Sequence, residues 1–180
     1  KAIYYLIARI YVNETLILFE HVVWTDQRSP SEIRNASYDN LPDILHFQAP
    51  KYLEVFQQFL KLGDKGYFAY LDGKCVHRSW VKFNKQVVYL HPLLKMRLKE
   101  NEAFIHYCET APDARGMNIY PHVLCKIVSD FGEDYKVLIC VNSKNKASIR
   151  GVKKAGFTEI RRIKLLIIFG VRIYGSKNLN

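Results

Sequence analysis

The stretch from Ala103 to Phe131, AFIHYCETAPDARGMNIYPHVLCKIVSDF, constrains the fold more than any other. An apolar, aromatic run from Phe104 to Thr110 reads as a strand. Pro112, Asp113, Arg115 and Gly116 make a turn, and a helix begins near Asn118. Pro121 fits that helix's first turn, where a backbone N–H has no helical partner to lose. Ile119, Val123, Leu124, Ile127, Val128 and Phe131 then recur at helical spacing. A strand feeding directly into a helix start presents free N–H groups and the positive end of a helix dipole. That combination suits an anion, a phosphate in particular.

The remaining chain arranges itself around this unit. Residues 2 to 11 are apolar and compatible with helix or strand; a helix is favoured, followed by a strand over 16 to 24. Polar residues from Thr25 to Asn40 predict a loop. Leu53, Val55, Phe56, Phe59, Leu60 and Leu62 give an amphipathic helix after Pro50, ending near Gly63. Asp72-Gly73 between two apolar runs is a hairpin signal. Residues 85 to 90 supply a further strand, and 91 to 102 a short helix or a loop. Residues 136 to 141 read as a buried strand, 147 to 156 as a short helix closed by Gly156. The tail reads as two strands pairing around Phe169-Gly170. The expected fold class is α/β (α+β), one domain over residues 1 to 180, built on a single mixed sheet with helices.

Composition narrows the function classes. The chain is 49% hydrophobic and 13% aromatic, which excludes disorder, and it carries a formal net charge of +10, which points to an anionic partner. Nucleotide cofactor, nucleic acid and membrane surface all satisfy that charge. No apolar run approaches the roughly 20 residues that span a bilayer, and no leader pattern is legible. Cys75, Cys108, Cys125 and Cys140 are widely spaced and form no CxxC pair. They are expected to be reduced, in a cytoplasmic protein with no metal site.

Two segments carry a resemblance to a known family. T-A-P-D-A-R-G-M-N-I-Y (110 to 120) resembles the V-x-P-x-x-R-G-x-G-I-G segment of the GNAT superfamily of acetyl-CoA-dependent N-acetyltransferases. N-K-A-S-I-R-G-V-K-K-A-G-F (145 to 157) is similar to the N-x-x-S-x-R-x-x-x-K-x-G-F segment of many members, and the order of elements agrees. The resemblance implies a mostly antiparallel sheet flanked by helices, with residues 103 to 157 as the acetyl-CoA-binding core and residues 1 to 60 on the substrate side. The sequence departs from the pattern at three places. Asn118 and Tyr120 stand where small residues are usual, and Val152 occupies the position where many members carry a Tyr acid.

The resemblance also implies roles. Backbone groups of Arg115, Gly116, Met117, Asn118, Ile119 and Tyr120 would receive the CoA pyrophosphate. Cys108, Glu109 and Thr110 would hydrogen-bond the pantetheine arm as an extra strand does. Asn145 and Ser148 would approach that arm. Lys144, Lys146, Arg150, Lys153 and Lys154 could attract the 3′-phosphate or form a solvated basic face. Strand alternation puts Phe104, His106, Cys108 and Thr110 on one face and Ile105, Tyr107 and Glu109 on the other. His106 is then the first candidate for the catalytic base and Glu109 the second; Tyr107, Tyr120 and Tyr174 are the candidate acids.

The expected function is transfer of an acetyl group from acetyl-CoA to a primary amine on an amino sugar, a small amine or a protein. Two alternatives remain: a CoA-binding protein of the same fold without turnover, and a basic nucleic-acid-binding module, although no nucleic-acid motif is legible. A homodimer is compatible with the leading expectation.

Overall fold

The computed structural model describes residues 11–169 and 171–178. Its centre is an eight-stranded sheet in the order β10-β9-β1-β8-β7-β4-β3-β2. The strands are β1 (Tyr11–His21), β2 (Glu32–Asn35), β3 (Lys65–Leu71), β4 (Lys74–Phe83), β7 (Glu102–Thr110), β8 (Lys136–Asn142), β9 (Phe157–Ile168) and β10 (Val171–Asn178). Neighbours run antiparallel except β7 and β8, which are parallel. A separate hairpin pairs β5 (Val87–His91) with β6 (Leu94–Arg97). Among the described residues, three α-helices flank the sheet: α1 (Lys51–Lys61), α2 (Ile119–Phe131) and α3 (Lys146–Lys154).

Period-two alternation divides the side chains between two covered faces. Ile17, Tyr67, Ala69, Ala103, Ile105 and Ile139 join Val123, Leu124 and Ile127 of α2 and Val152 of α3 in one core. On the other face, Phe68 and Trp80 pack with Phe56 of α1 and with Leu41 and Ile44 of the preceding 3₁₀ turn. The β5–β6 hairpin covers the rest of that face through Val88, against Leu18, Phe104 and Leu138. Because both faces are covered, β1 shows an unbroken buried run from Leu16 to Phe19 instead of alternation.

Several expectations are met by local chemistry. The helix after Pro50 forms, and the β3–β4 hairpin turns at Asp72 (φ 48°) and Gly73 (φ 77°), the two left-handed residues of a type I′ turn. The tail strands pair antiparallel across the expected turn.

Strand pairing alters others. The helix expected over residues 2 to 11 lies outside the described residues up to position 10, and Tyr11 already belongs to β1. That strand starts earlier and stops sooner than expected, at His21, since β9 pairs with it from Tyr11 to His21 and holds the backbone of polar Asn13, Glu14 and Thr15 in a ladder. The loop expected from Thr25 to Asn40 contains β2, a short edge strand held by β3. Leu94–Arg97 is a strand, not a helix or loop, because β5 offers it a ladder.

Trp80 is fully buried and lies 5.2 Å from Phe56 and 5.4 Å from Phe59 between ring centroids, so it fastens α1 to the sheet. Trp80→Ala is expected to cost about 3–5 kcal/mol, read by urea denaturation; a loss under about 1 kcal/mol would show that the sheet face can close over the gap.

Candidate active site

β7 and β8 pair only from Glu102 to Ile105 and from Lys136 to Ile139. Beyond that point the strands part, and the second half of β7 has no ladder with β8. A cleft of about 660 Å³ opens there, between β7 and the N-termini of α2 and α3. Ten of the residues expected to hold the cofactor line it: Cys108, Glu109, Thr110, Arg115, Gly116, Asn118, Ile119, Tyr120, Asn145 and Ser148. Met117 is exposed and His106 is not among the lining residues.

Each helix start is prepared differently. Asn145 caps α3, its side chain accepting from the Ser148 N–H at 3.0 Å. Asn118 precedes α2 with φ 61°, a left-handed conformation that Asn tolerates, and its side chain makes no cap bond to the helix. Its amide donates instead to the Arg28 carbonyl at 2.7 Å and to Gln27 Oε1 at 3.4 Å. The first N–H groups of α2 therefore have no side-chain acceptor and stand at the cleft, as an anion site requires.

Tyr120, wide where a small residue is usual, is housed by a glycine. A Cβ placed on Gly151 of α3 would come within 2.7 Å of the Tyr120 ring. The ring lies under α3, and its hydroxyl interacts with Ser148 and Cys108. Burial lifts the phenol well above its ordinary range, so it stays protonated; burial also pushes the Cys108 thiol up to about 11.

Beneath the cleft, β4 contributes residues the sequence reading passed over. His77 is fully buried, with Nδ1 2.7 Å from Thr110 Oγ1 and Nε2 2.8 Å from Ser79 Oγ. Burial pushes its pKa down to about 3, with Arg78 adding to the shift, so the imidazole is neutral near pH 7. The signal was three consecutive polar residues, His77, Arg78 and Ser79, inside the strand CVHRSWV.

A β-bulge overturns the expected sharing of strand faces. Ladder pairs between β4 and β7 run His77↔Thr110, Arg78↔Glu109, then Trp80↔His106, leaving Tyr107 and Cys108 opposite Ser79 alone. Tyr107 takes φ 50°. Alternation restarts after it. Cys108 and Thr110 turn toward α2, whereas His106 stays on the α1 face, 5.1 Å from the Phe59 ring. There His106 Nε2 lies 3.4 Å from the Asp64 carboxylate, which also holds Lys82 at 3.0 Å. Burial depresses the His106 pKa despite Asp64. Glu109, on the same face by the new count, reaches the cleft mouth, its carboxylate 2.8 Å from Arg78 Nη2.

No protein-family model matches the chain, and no curated protein matches it. Solved structures do. An acetyltransferase of the GNAT family from Colwellia psychrerythraea superposes with a TM-score of 0.66 over 94% of this chain and 57% of that one, at 13% identity. A protein described as a GNAT-family acetyltransferase from Novosphingobium aromaticivorans gives 0.61 over 88% and 67%, at 15% identity. A glucosamine N-acetyltransferase region in a fungal multi-domain β-N-acetylglucosaminidase gives 0.63 over 92% of this chain and 22% of that one, at 11% identity. The chain has the fold of the GNAT acetyltransferases, and it spans 57% of the length of the Colwellia protein. Among the described residues, no helix is long and apolar enough to cross a membrane.

Two outcomes follow from the cleft floor. The folded pKa of His77 lies below its ordinary 6.5, so the unfolded chain binds the proton more readily. Stability is then full above the ordinary value and lost as pH falls below it. Acidification from neutral to about pH 4 should remove on the order of 3 kcal/mol through His77, and His77→Gln should flatten that slope in denaturation curves. A parallel slope in the variant would contradict the assignment. Gly→Ala inside a helix ordinarily stabilises by roughly 0.5–1 kcal/mol; Gly151→Ala is expected to destabilise, and Tyr120→Ala in the same chain to restore the ordinary sign.

Proposed function

We propose that the chain is an acetyl-CoA-dependent N-acetyltransferase acting on a primary amine. The observation that carries this reading is the cleft: two parted parallel strands, with an uncapped helix start at one end and a second helix start beside it. The N–H groups from Arg115 to Tyr120, Met117 included, would take the pyrophosphate. The unpaired edge of β7 over Cys108, Glu109 and Thr110 would take the pantetheine arm, with Asn145 and Ser148 facing it across the cleft.

For transfer, the amine nitrogen attacks the thioester carbonyl carbon, the C–S bond breaks, and the amine's proton leaves to a base. Geometry favours Glu109 over His106 as that base. Glu109 stands at the cleft mouth, while His106 is turned to Asp64 under α1. The Tyr120 hydroxyl, kept protonated by burial, would donate a hydrogen bond to the departing sulfur, a role Val152 has no group to fill. Amino sugars belong among the acceptors to test, a choice supported by the likeness to the glucosamine N-acetyltransferase region. The buried Val152 and the Arg78-bound Glu109 favour the second reading, a CoA-binding protein of this fold without turnover.

Calorimetric titration with acetyl-CoA is expected to show saturable binding; no heat at high micromolar ligand would end both readings. Thiol release is then followed with glucosamine, spermidine and a lysine peptide. Glu109→Gln should lower kcat at least about 100-fold, and an unchanged kcat would remove Glu109 as the base. Binding without thiol release from any acceptor would favour the second reading.

A further inference from the structure

Arg78 leaves β4 on the α1 face, opposite His77 and Ser79, and its side chain is only 3% exposed. Its Nη2 donates to Glu109 Oε2 at 2.8 Å and to Gln48 Oε1 at 2.9 Å, and Nε reaches the same Gln48 oxygen at 3.3 Å. The guanidinium lies over the Phe56 ring, 4.7 Å from its centroid, with Tyr52 at 5.4 Å. A buried cation needs such partners. The remaining bond is of another kind: Nη1 donates to the main-chain carbonyl of Tyr107.

That carbonyl belongs to the residue with φ 50°, where the β4–β7 ladder is interrupted. A bulky aromatic residue is disfavoured there, so the conformation persists only while its surroundings impose it. Arg78 donates to this peptide's carbonyl at the point where the ladder is interrupted. The planar fork reaches the Tyr107 carbonyl and the Glu109 carboxylate at once, so two points of β7 flanking Cys108 are pinned by one side chain.

We propose that Arg78 is a positioning residue: it holds the β7 bulge from the far face of the sheet, and so sets Cys108 and Thr110 toward the cleft where the pantetheine arm would lie. The inference rests on the acetyl-CoA reading above. Arg78 is not a lining residue of the cleft, and its effect passes through the main chain of β7. A lysine keeps the charge but not the fork, so it does not replace Arg78.

The test compares two ligands by calorimetry in the wild type, Arg78→Met, Arg78→Lys and Gln48→Ala. One ligand is acetyl-CoA. The other is 3′,5′-ADP, which has the phosphates for the helix starts and no pantetheine arm. Acetyl-CoA affinity is expected to fall about tenfold or more in both Arg78 variants and by a smaller factor in Gln48→Ala, with 3′,5′-ADP affinity held within about twofold. Equal loss for both ligands would mean a merely structural role, and unchanged acetyl-CoA affinity would mean none; either overturns the proposal. Should the Arg78 variants fail to fold, the ligand ratio in Gln48→Ala decides by the same criterion. A wild type that binds 3′,5′-ADP but not acetyl-CoA would overturn the acetyl-CoA reading itself and this inference with it.

Discussion

β7 stops pairing with β8 after Ile105 and is bulged against β4 two residues further on, and the cleft depends on that pair of events. Had the strand run flat, its backbone groups would have been satisfied by β8 and there would be no free edge. Regular alternation from Ile105 would also have turned Tyr107 and Glu109 toward α2. A tyrosine ring there would occupy the space the cleft now holds. The bulge exchanges them for Cys108 and Thr110, two small side chains, and delivers the larger pair to the opposite face. One extra residue thus decides both the volume of the cleft and where the carboxylate stands.

The surrounding polar residues follow from the same event. His77, fully buried, needs partners for both ring nitrogens; the inward-turned Thr110 provides one and Ser79 the other. A charged imidazole would face desolvation with Arg78 beside it, so the neutral form is the one this network accommodates. Arg78 itself is the costly member. A guanidinium this deep loses more in hydration than a surface pair regains, and here the loss is offset by the Glu109 carboxylate, the Gln48 oxygen, the Tyr107 carbonyl and the faces of Phe56 and Tyr52. Successive residues of β4 therefore serve opposite sides of the sheet: His77 and Ser79 the cleft floor, Arg78 the bulge.

What was legible in the sequence was what short-range chemistry decides. Asp72-Gly73 names its turn, the apolar spacing after Pro50 names its helix, and the run at 103 to 131 names its strand, its turn and its helix start. Ten of the residues expected to hold the cofactor came together because their elements are consecutive in the chain. The misses share a cause. β2 and the first residues of β1 are strands by virtue of distant partners, and β6 by the hairpin it makes with β5; none of these leaves a periodic signal in the segment itself. The bulge is set by a guanidinium 29 residues from the carbonyl it binds, so alternation counted along β7 alone put His106 beside Cys108 and left Glu109 facing away. The run His77-Arg78-Ser79 was visible as an anomaly in an apolar strand, but only the fold shows that it points in two directions.

Tyr120 and Gly151 show how two departures can be a single fact. Alone, a tyrosine at the start of α2 crowds the site, and a glycine inside α3 weakens the helix by roughly 1 kcal/mol relative to alanine. Together they fit, since the ring fills the space that a Cβ on Gly151 would need. The fully buried Val152 then packs beneath α3 with no polar atom to satisfy. The phenol at this part of the cleft comes from α2, within reach of the Ser148 hydroxyl on α3 and of Cys108. Substituting a small residue for Tyr120 would open the helix start but leave the Cys108 thiol and the Ser148 hydroxyl without the phenol between them. The wide residue therefore belongs to the cleft's polar lining and is not an obstruction in it.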